Sequence, residues 1–137
     1  MKNKISEFDM VNDCYAHIKQ FYECKYVSLE VPFLSRCIDM VLITRNNNVI
    51  SLEFKLKNIS QAIKQARDHA LGADYSFIVI PKKEKINLQL FKKNNLGLAF
   101  YQSEKLDKLE TINIAPYNNP VRKFKEMLIE NTIKVNS

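Results

Sequence analysis

The stretch Arg36–Lys57, "RCIDMVLITRNNNVISLEFKLK", constrains this chain more than any other. Two runs with strand character are separated only by "RNNN", and asparagine tolerates the left-handed backbone that a tight reversal needs. The stretch therefore reads as a β-hairpin: strand Arg36–Thr44, turn Arg45–Asn48, strand Val49–Lys57. The second strand alternates, with Ile50, Leu52, Phe54 and Leu56 on one side and Ser51, Glu53, Lys55 and Lys57 on the other. The first is apolar on both faces apart from Asp39, which argues for a central place in a sheet.

A lone carboxylate in such a strand is costly unless it is paired, hydrogen-bonded or bound to a metal. A satisfied structural pair is the plain explanation. The chemical explanation depends on the turn, because side chains alternate and loop length decides which residues share a face with Asp39. A three-residue loop Arg45–Asn47 sets Asp39 opposite Glu53, and a three-residue loop Asn46–Asn48 sets it opposite Lys55. An even loop turns Asp39 to the other face. With an odd loop, two carboxylates and one ammonium converge. Neighbouring carboxylates repel when both are ionised, and a divalent cation relieves the repulsion. Oxygen donors suit Mg²⁺ or Mn²⁺, and the Lys55 charge beside such an ion suits a further anion, such as a phosphodiester.

The flanking sequence supplies a frame. A helix is predicted over 3–24, with an apolar stripe of Phe8, Val11, Tyr15, Ile18 and Tyr22, widened by Cys14 and Phe21. Ser6 with Asp9 forms a candidate capping pair. Tyr26–Val31 reads as a strand closed by Pro32. After the hairpin, Ser60 is the expected cap of the helix "QAIKQARDHAL", with Gly72 as its stop. Tyr75–Pro81 is a buried strand, "INLQLFKKNN" a short helix, "LGLAFYQ" another strand, and "ETINIAPY" a further strand or an extended tail. Asn119 is the expected cap of a last helix, with Pro120 in its first turn and Val121, Phe124, Met127 and Leu128 as its buried stripe. The order helix, three strands, helix, strand predicts an α/β domain with a mixed sheet.

At 137 residues the chain can bury a core without metal or disulfide staples. Two glycines leave no material for a Gly-rich phosphate loop, which excludes Walker-type and dinucleotide-type cradles. A formal charge of +6 favours polyanion partners, and a solvated lysine-rich surface explains it equally well. Cys14, Cys24 and Cys37 are odd in number and lack zinc spacing. With no apolar leader and no membrane-spanning run, the expectation is a cytoplasmic protein with reduced thiols.

Asp39, the turn and Glu53-Phe54-Lys55, followed by a helix and an apolar strand, resemble the PD-(D/E)XK nuclease superfamily over roughly residues 5–81. The motif is D-x13-E-x-K in its hairpin context, and Ile38 stands where the proline of the name would be. The resemblance implies a restriction-endonuclease-like αβββαβ core, a central mixed sheet flanked by helices. The 137 residues would then be one nuclease-like domain with a C-terminal strand and helix extension over 96–133. Asp39 and Glu53 would bind Mg²⁺ or Mn²⁺ with the backbone carbonyl of Phe54. Lys55 would orient or activate the attacking water and stabilise the charged transition state.

A first-helix glutamate near the metal would be Glu7, an acid that a helix N-terminus favours in any case. Glu30 is the second candidate. Gln61 and Gln65 share a helical face, and Gln65 with His69 is similar to a Q-x-x-x-Y arrangement with His for Tyr, though both glutamines also suit a solvated helix. Lys82, Lys83, Lys85, Lys92, Lys93, Arg122, Lys123 and Lys125 are either solvated charges or contacts to a phosphate backbone.

The expected function is metal-dependent hydrolysis of nucleic acid, DNA ahead of RNA. It would come from a homodimer, as in Holliday-junction resolvases. The alternatives are a non-catalytic DNA- or protein-binding module of the same fold, and an accidental motif on an amphipathic strand. Asp39 on the opposite face from Glu53 would leave only the last.

Overall fold

The computed structural model describes residues 5–136, so the first two residues of the helix expected over 3–24 lie outside the described residues. α1 spans Glu7–Phe21 and starts as expected: Ser6 Oγ accepts the Asp9 N–H at 3.0 Å. Its buried face keeps Cys14 and Ile18 of the expected stripe, with Val11 and Tyr15 partly buried against the core, and adds Met10 and His17. Phe8, 75% exposed, and Phe21, 63%, fall outside it. Met10 and Cys14 pack in one cluster with Met40, Leu42, Leu52 and Phe54 of the sheet.

The strands are β1 (Cys24–Phe33), β2 (Arg36–Thr44), β3 (Val49–Phe54), β4 (Tyr75–Pro81), β5 (Gly97–Tyr101) and β6 (Leu109–Asn113). They form one six-stranded sheet in sequence order. β1, β2 and β3 run antiparallel, β3, β4 and β5 parallel, and β6 antiparallel to β5. The sheet is therefore mixed, as the element order predicts. α2 (Ile59–His69) and α3 (Leu88–Lys92) make the two parallel crossovers. β2 lies one strand in from the edge and not at the centre. It is apolar on both faces because α1 covers Met40 and Leu42 while Leu128 of α4 (Arg122–Asn136) packs with Val41 and Ile43. Pro32 sits in β1, an edge strand, where a missing amide donor is tolerated.

The hairpin turn is the three-residue loop Arg45–Asn47. Thr44 N–H donates to Asn48 O at 2.9 Å, Asn47 N–H donates to Thr44 O at 2.9 Å, and Asn47 is left-handed at φ 64°. Ladder pairs run from Ile43 with Val49 to Met40 with Leu52, a register that sets Asp39 opposite Glu53.

Two expected helix starts differ, and one expected stop holds for a different reason. Ser60 lies inside α2, and Asn58, left-handed at φ 60°, takes the N-cap position without a side-chain capping bond, its side-chain amide donating to Gln61 Oε1 instead. Gly72 follows the end of α2, yet its φ is not positive. A Cβ there would come within 2.7 Å of Phe33 Cζ and 3.1 Å of Phe124 O, so close packing requires the glycine. Asn119 does not cap α4. Lys125 N–H bonds to Val121 O at 2.9 Å, so the helix opens after Val121, which is itself 50% exposed and outside the buried stripe.

The segment expected as a C-terminal strand and helix extension over 96–133 lies in the same sheet and helix layers. It adds two strands, and α4 packs across β1 through Ser28 Oγ to Thr132 O at 2.8 Å and Asn136 Nδ2 to Val27 O at 2.9 Å. Among the described residues, no helix is long and apolar enough to cross a membrane.

Candidate active site at the fork between two strands

Beyond the Met40–Leu52 pair the ladder between β2 and β3 ends, while β3 stays on β4: Lys55 N–H donates to Val79 O at 3.1 Å. The amides that β3 turns toward the departed β2 need other acceptors. Carboxylates supply them. Asp39 Oδ2 accepts the Phe54 N–H at 2.8 Å, and Glu7 Oε1 accepts the Leu56 N–H at 3.2 Å. An acid from β2 and an acid from α1 thus converge on the end of β3.

Glu53 lies between them and is 5% exposed. Burial pushes its carboxyl up to about 9, aided by hydrogen bonding to Asp39 and by the charges of Asp39 and Glu7, with Lys55 opposing. Near neutral pH the metal-free site therefore holds Glu53 as the neutral acid. His69, from the last turn of α2, sets Nδ1 3.2 Å from Glu53 Oε2. Burial lowers this imidazole to about 4, with Arg36 adding to the shift and Asp39 and Asp68 opposing it, so it is neutral too. The close approach is not aligned as a hydrogen bond. Glu53 Oε2, His69 Nε2 and Gln65 Oε1 are all buried without a hydrogen-bond partner. Gln65 stands one helical turn before His69.

In front of the fork is a cavity of about 400 Å³, walled by Phe8, Val11 and Leu29 and rimmed by Glu7, Glu30 and Asp39. Glu30 enters by a backbone exception. Ser28 and Val31 contact α4 or its cluster, and regular alternation would send Glu30 after Ser28. A φ of 50°, rare for a non-glycine residue inside a strand, turns Glu30 into the cavity instead.

Among the described residues, no three His, Cys, Asp or Glu side chains stand as a ready-made metal cage. Asp39 has one oxygen engaged by the last amide of β3, Phe54, and Glu7 one by the Leu56 amide just after it. The donors are nonetheless oxygens of the kind a hard divalent ion takes, and the unpartnered Glu53 Oε2 is the atom such an ion would satisfy.

The structure thus brings Asp39, Glu53, Lys55 and Glu7 to one place, with His69 against Glu53 and Gln65 buried one turn earlier on α2. Of the basic candidates, Lys83 and Lys85 line a separate pocket with Phe91, and two others are engaged elsewhere. Lys125 pairs with the buried Asp74 at 3.0 Å and Arg122 with Glu126 at 3.1 Å. Phe8, expected in the buried stripe, is exposed; Met10, two residues on and not in that stripe, takes a buried place.

No family model and no curated protein sequence matches the chain. Solved structures resemble it in fold. The SPO1766 protein of unknown function from Silicibacter pomeroyi superposes with TM-score 0.67 at 14% identity, over 97% of this chain and 87% of that one. A repair endonuclease from Pyrococcus abyssi gives 0.58 at 18% identity, over 74% of this chain and 49% of that one. EndoMS in a dsDNA complex gives 0.59 at 16% identity, over 77% and 48% respectively. This chain spans about half the length of the two endonuclease chains. The mixed six-stranded sheet flanked by helices is thus a fold that repair endonucleases share.

Proposed function

We propose that this chain is a metal-dependent nuclease of the PD-(D/E)XK type that hydrolyses phosphodiester bonds in nucleic acid, DNA ahead of RNA. One observation carries the reading: Asp39 bonds to the Phe54 amide directly across from Glu53, a buried acid with an unpartnered oxygen. Asp39, Glu53 and the Phe54 carbonyl would hold Mg²⁺ or Mn²⁺, with Glu7 at the outer edge. The ion would supply Lewis-acid charge neutralisation and a more acidic water.

The chain's own residues do the rest. Glu53 would lose its proton to solvent on becoming a ligand, and Asp39, held at one oxygen by the Phe54 amide, would have its other oxygen for the ion. Lys55 follows Glu53 by two residues. It would orient the attacking water and stabilise the charge that grows on the phosphoryl oxygens. His69, 3.2 Å from Glu53, would limit the positions open to it, and Gln65 would act from one turn earlier on the same helix. The charge of +6 supports a polyanionic substrate, and the EndoMS structure of similar fold is a complex with dsDNA. Cutting both strands of a duplex would take two copies of this site, hence a homodimer.

The test is cleavage of linear, single-stranded, supercoiled and four-way-junction DNA with Mg²⁺ or Mn²⁺, using Glu53→Gln and Lys55→Ala as controls. Metal-dependent cutting lost in both variants supports the reading. Salt-sensitive DNA binding that neither variant changes, with no cutting on any substrate, would replace it with a non-catalytic binding module.

A further inference from the structure

Phe8 is the second residue of α1, and its ring is left largely in water while its neighbour Glu7 reaches into the fork. Its place is fixed on both sides. Asn12 Nδ2 donates to the Phe8 carbonyl at 3.0 Å, and Glu7 ties the same turn to the Leu56 amide. The ring walls the 400 Å³ cavity, a volume in the ordinary range for sites that enclose a small ligand group, about 300–1,000 Å³.

The lining divides by chemistry. Phe8, Val11 and Leu29 are apolar, Glu7, Glu30 and Asp39 are acidic, and Asn12 is neutral and polar, its side-chain amide donating to the Phe8 carbonyl. An occupant must offer an uncharged, flat, apolar body to the first group, and any anionic part must be met by Lys55 and by the cation that Asp39 and Glu7 would hold, since the carboxylates alone repel it. A free phosphate lacks the first property and an acyl chain lacks the second part altogether. A nucleotide has both, a base with a neutral π-face joined to a phosphate.

Resting on the nuclease reading above, we propose that Phe8 stacks on an unpaired base next to the scissile phosphate. The substrate is then nucleic acid with an exposed base at that point: a single strand, or a base extruded from a duplex. In an intact duplex both faces of an internal base are covered by its neighbours, so the ring has nothing to stack on.

The chain contains no tryptophan, so Phe8→Trp creates a single fluorescent reporter at the site. Its emission would be followed at equilibrium with Ca²⁺ present, on titration with a single-stranded oligonucleotide, a mismatched duplex and a fully paired duplex. Phe21→Trp, at the far end of the same helix and in a separate cavity with Tyr22 and Leu106, serves as the control. In the Phe8→Trp protein, saturable quenching by the single strand is expected, weaker with the mismatch and absent with the paired duplex. The emission of the Phe21→Trp protein should not move with any of the three.

Binding read by anisotropy of the oligonucleotide should weaken about 5- to 100-fold in Phe8→Ala and be retained in Phe8→Trp. Equal quenching by the paired duplex overturns the proposal, as does binding that leaves the Phe8→Trp emission unchanged or an absence of any binding. Emission that varies with protein concentration alone overturns it too, placing the ring between two copies of the chain. Stacking is read without turnover, whereas the nuclease reading is judged by cleavage in the unsubstituted protein. Quenching without cleavage removes that reading and leaves the stacking, and cleavage without quenching does the reverse.

Discussion

Asp39 Oδ2 accepts the backbone N–H of Phe54 at 2.8 Å, just where β2 stops pairing with β3. The carboxylate stands in for a missing strand, so one residue serves both the fold and the proposed chemistry. The two roles separate by substitution. Asp39→Asn keeps an oxygen acceptor for the amide and should change the unfolding free energy by less than about 1 kcal/mol. Asp39→Ala leaves the amide unsatisfied and should cost about 1–3 kcal/mol. Both variants should lose the rise in Tm that Mg²⁺ or Mn²⁺ gives the parent, measured by denaturant and thermal unfolding. A metal response that survives in Asp39→Asn would remove Asp39 from the ligand set.

The buried Glu53 makes stability fall with pH in the metal-free protein. Its folded pKa, about 9, lies above the unfolded carboxyl value, so the folded state holds the extra proton across that interval and its advantage is lost as pH rises toward 9. His69 works in the opposite sense. Its pKa falls from 6.5 to about 4, so it contributes stability above 6.5 that is lost as pH drops toward 4. The two offset each other on the acid side, and above pH 6.5 Glu53 acts alone. Tm should therefore decline between pH 6.5 and 9 in EDTA, and Glu53→Gln should flatten the decline. Saturating Mg²⁺ should flatten it as well, because a ligated Glu53 has already lost its proton.

The hairpin and its register were legible in the sequence because alternation and an Asn-rich turn are local signals. The left-handed Asn47 then fixed the odd loop that puts Asp39 across from Glu53. Less local features were hidden. Which edge of the α1 stripe is buried depends on the shape of the sheet it meets, so periodicity places Phe8 in the core although it lies at the cavity mouth. The left-handed Glu30 answers to the packing around β1, and nothing in "SLEVP" announces it. Glu7 and Gln65 could be nominated only by resemblance. The Glu7 bond to the Leu56 amide comes from α1 crossing the open end of β3, a tertiary contact with no local signal.

Gly72 tests how closely α4 and β1 approach the chain after α2. An added Cβ meets the Phe33 ring at 2.7 Å and, more seriously, the backbone oxygen of Phe124 at 3.1 Å. A ring can rotate away and a helix backbone must shift as a body. Gly72→Ala should destabilise by about 1–3 kcal/mol in denaturant unfolding, despite the usual benefit of removing a glycine. A neutral or stabilising result would mean that α4 yields at this contact.

Asp74 anchors the same region from beneath. It is buried, accepts the Val49 N–H at 2.6 Å and pairs with Lys125 at 3.0 Å, joining the start of β3 to α4. Asp74→Ala leaves that amide without its acceptor, whereas Lys125 is partly exposed and can turn to water. A loss of about 1–3 kcal/mol is expected for Asp74→Ala and less for Lys125→Met, by denaturant unfolding. Equal losses in the two would shift the weight from the amide bond to the ion pair.

Lys55 carries the last prediction, which concerns rate. Its ammonium stabilises negative charge in two places: on the phosphoryl group in the transition state, and on Glu53, whose pKa it holds down. Loss of one such positioned charge typically lowers kcat about 10²–10³-fold with little change in KM. Lys55→Ala should show that split. It should also move the rising limb of the pH–rate profile toward alkaline pH, since Glu53 without Lys55 gives up its proton less readily. Lys55→Arg, which keeps the charge, should leave that limb near its original position even if geometry lowers the rate. A pH profile that stays put in Lys55→Ala would mean the ammonium acts on the substrate alone and does not share the electrostatics of Glu53.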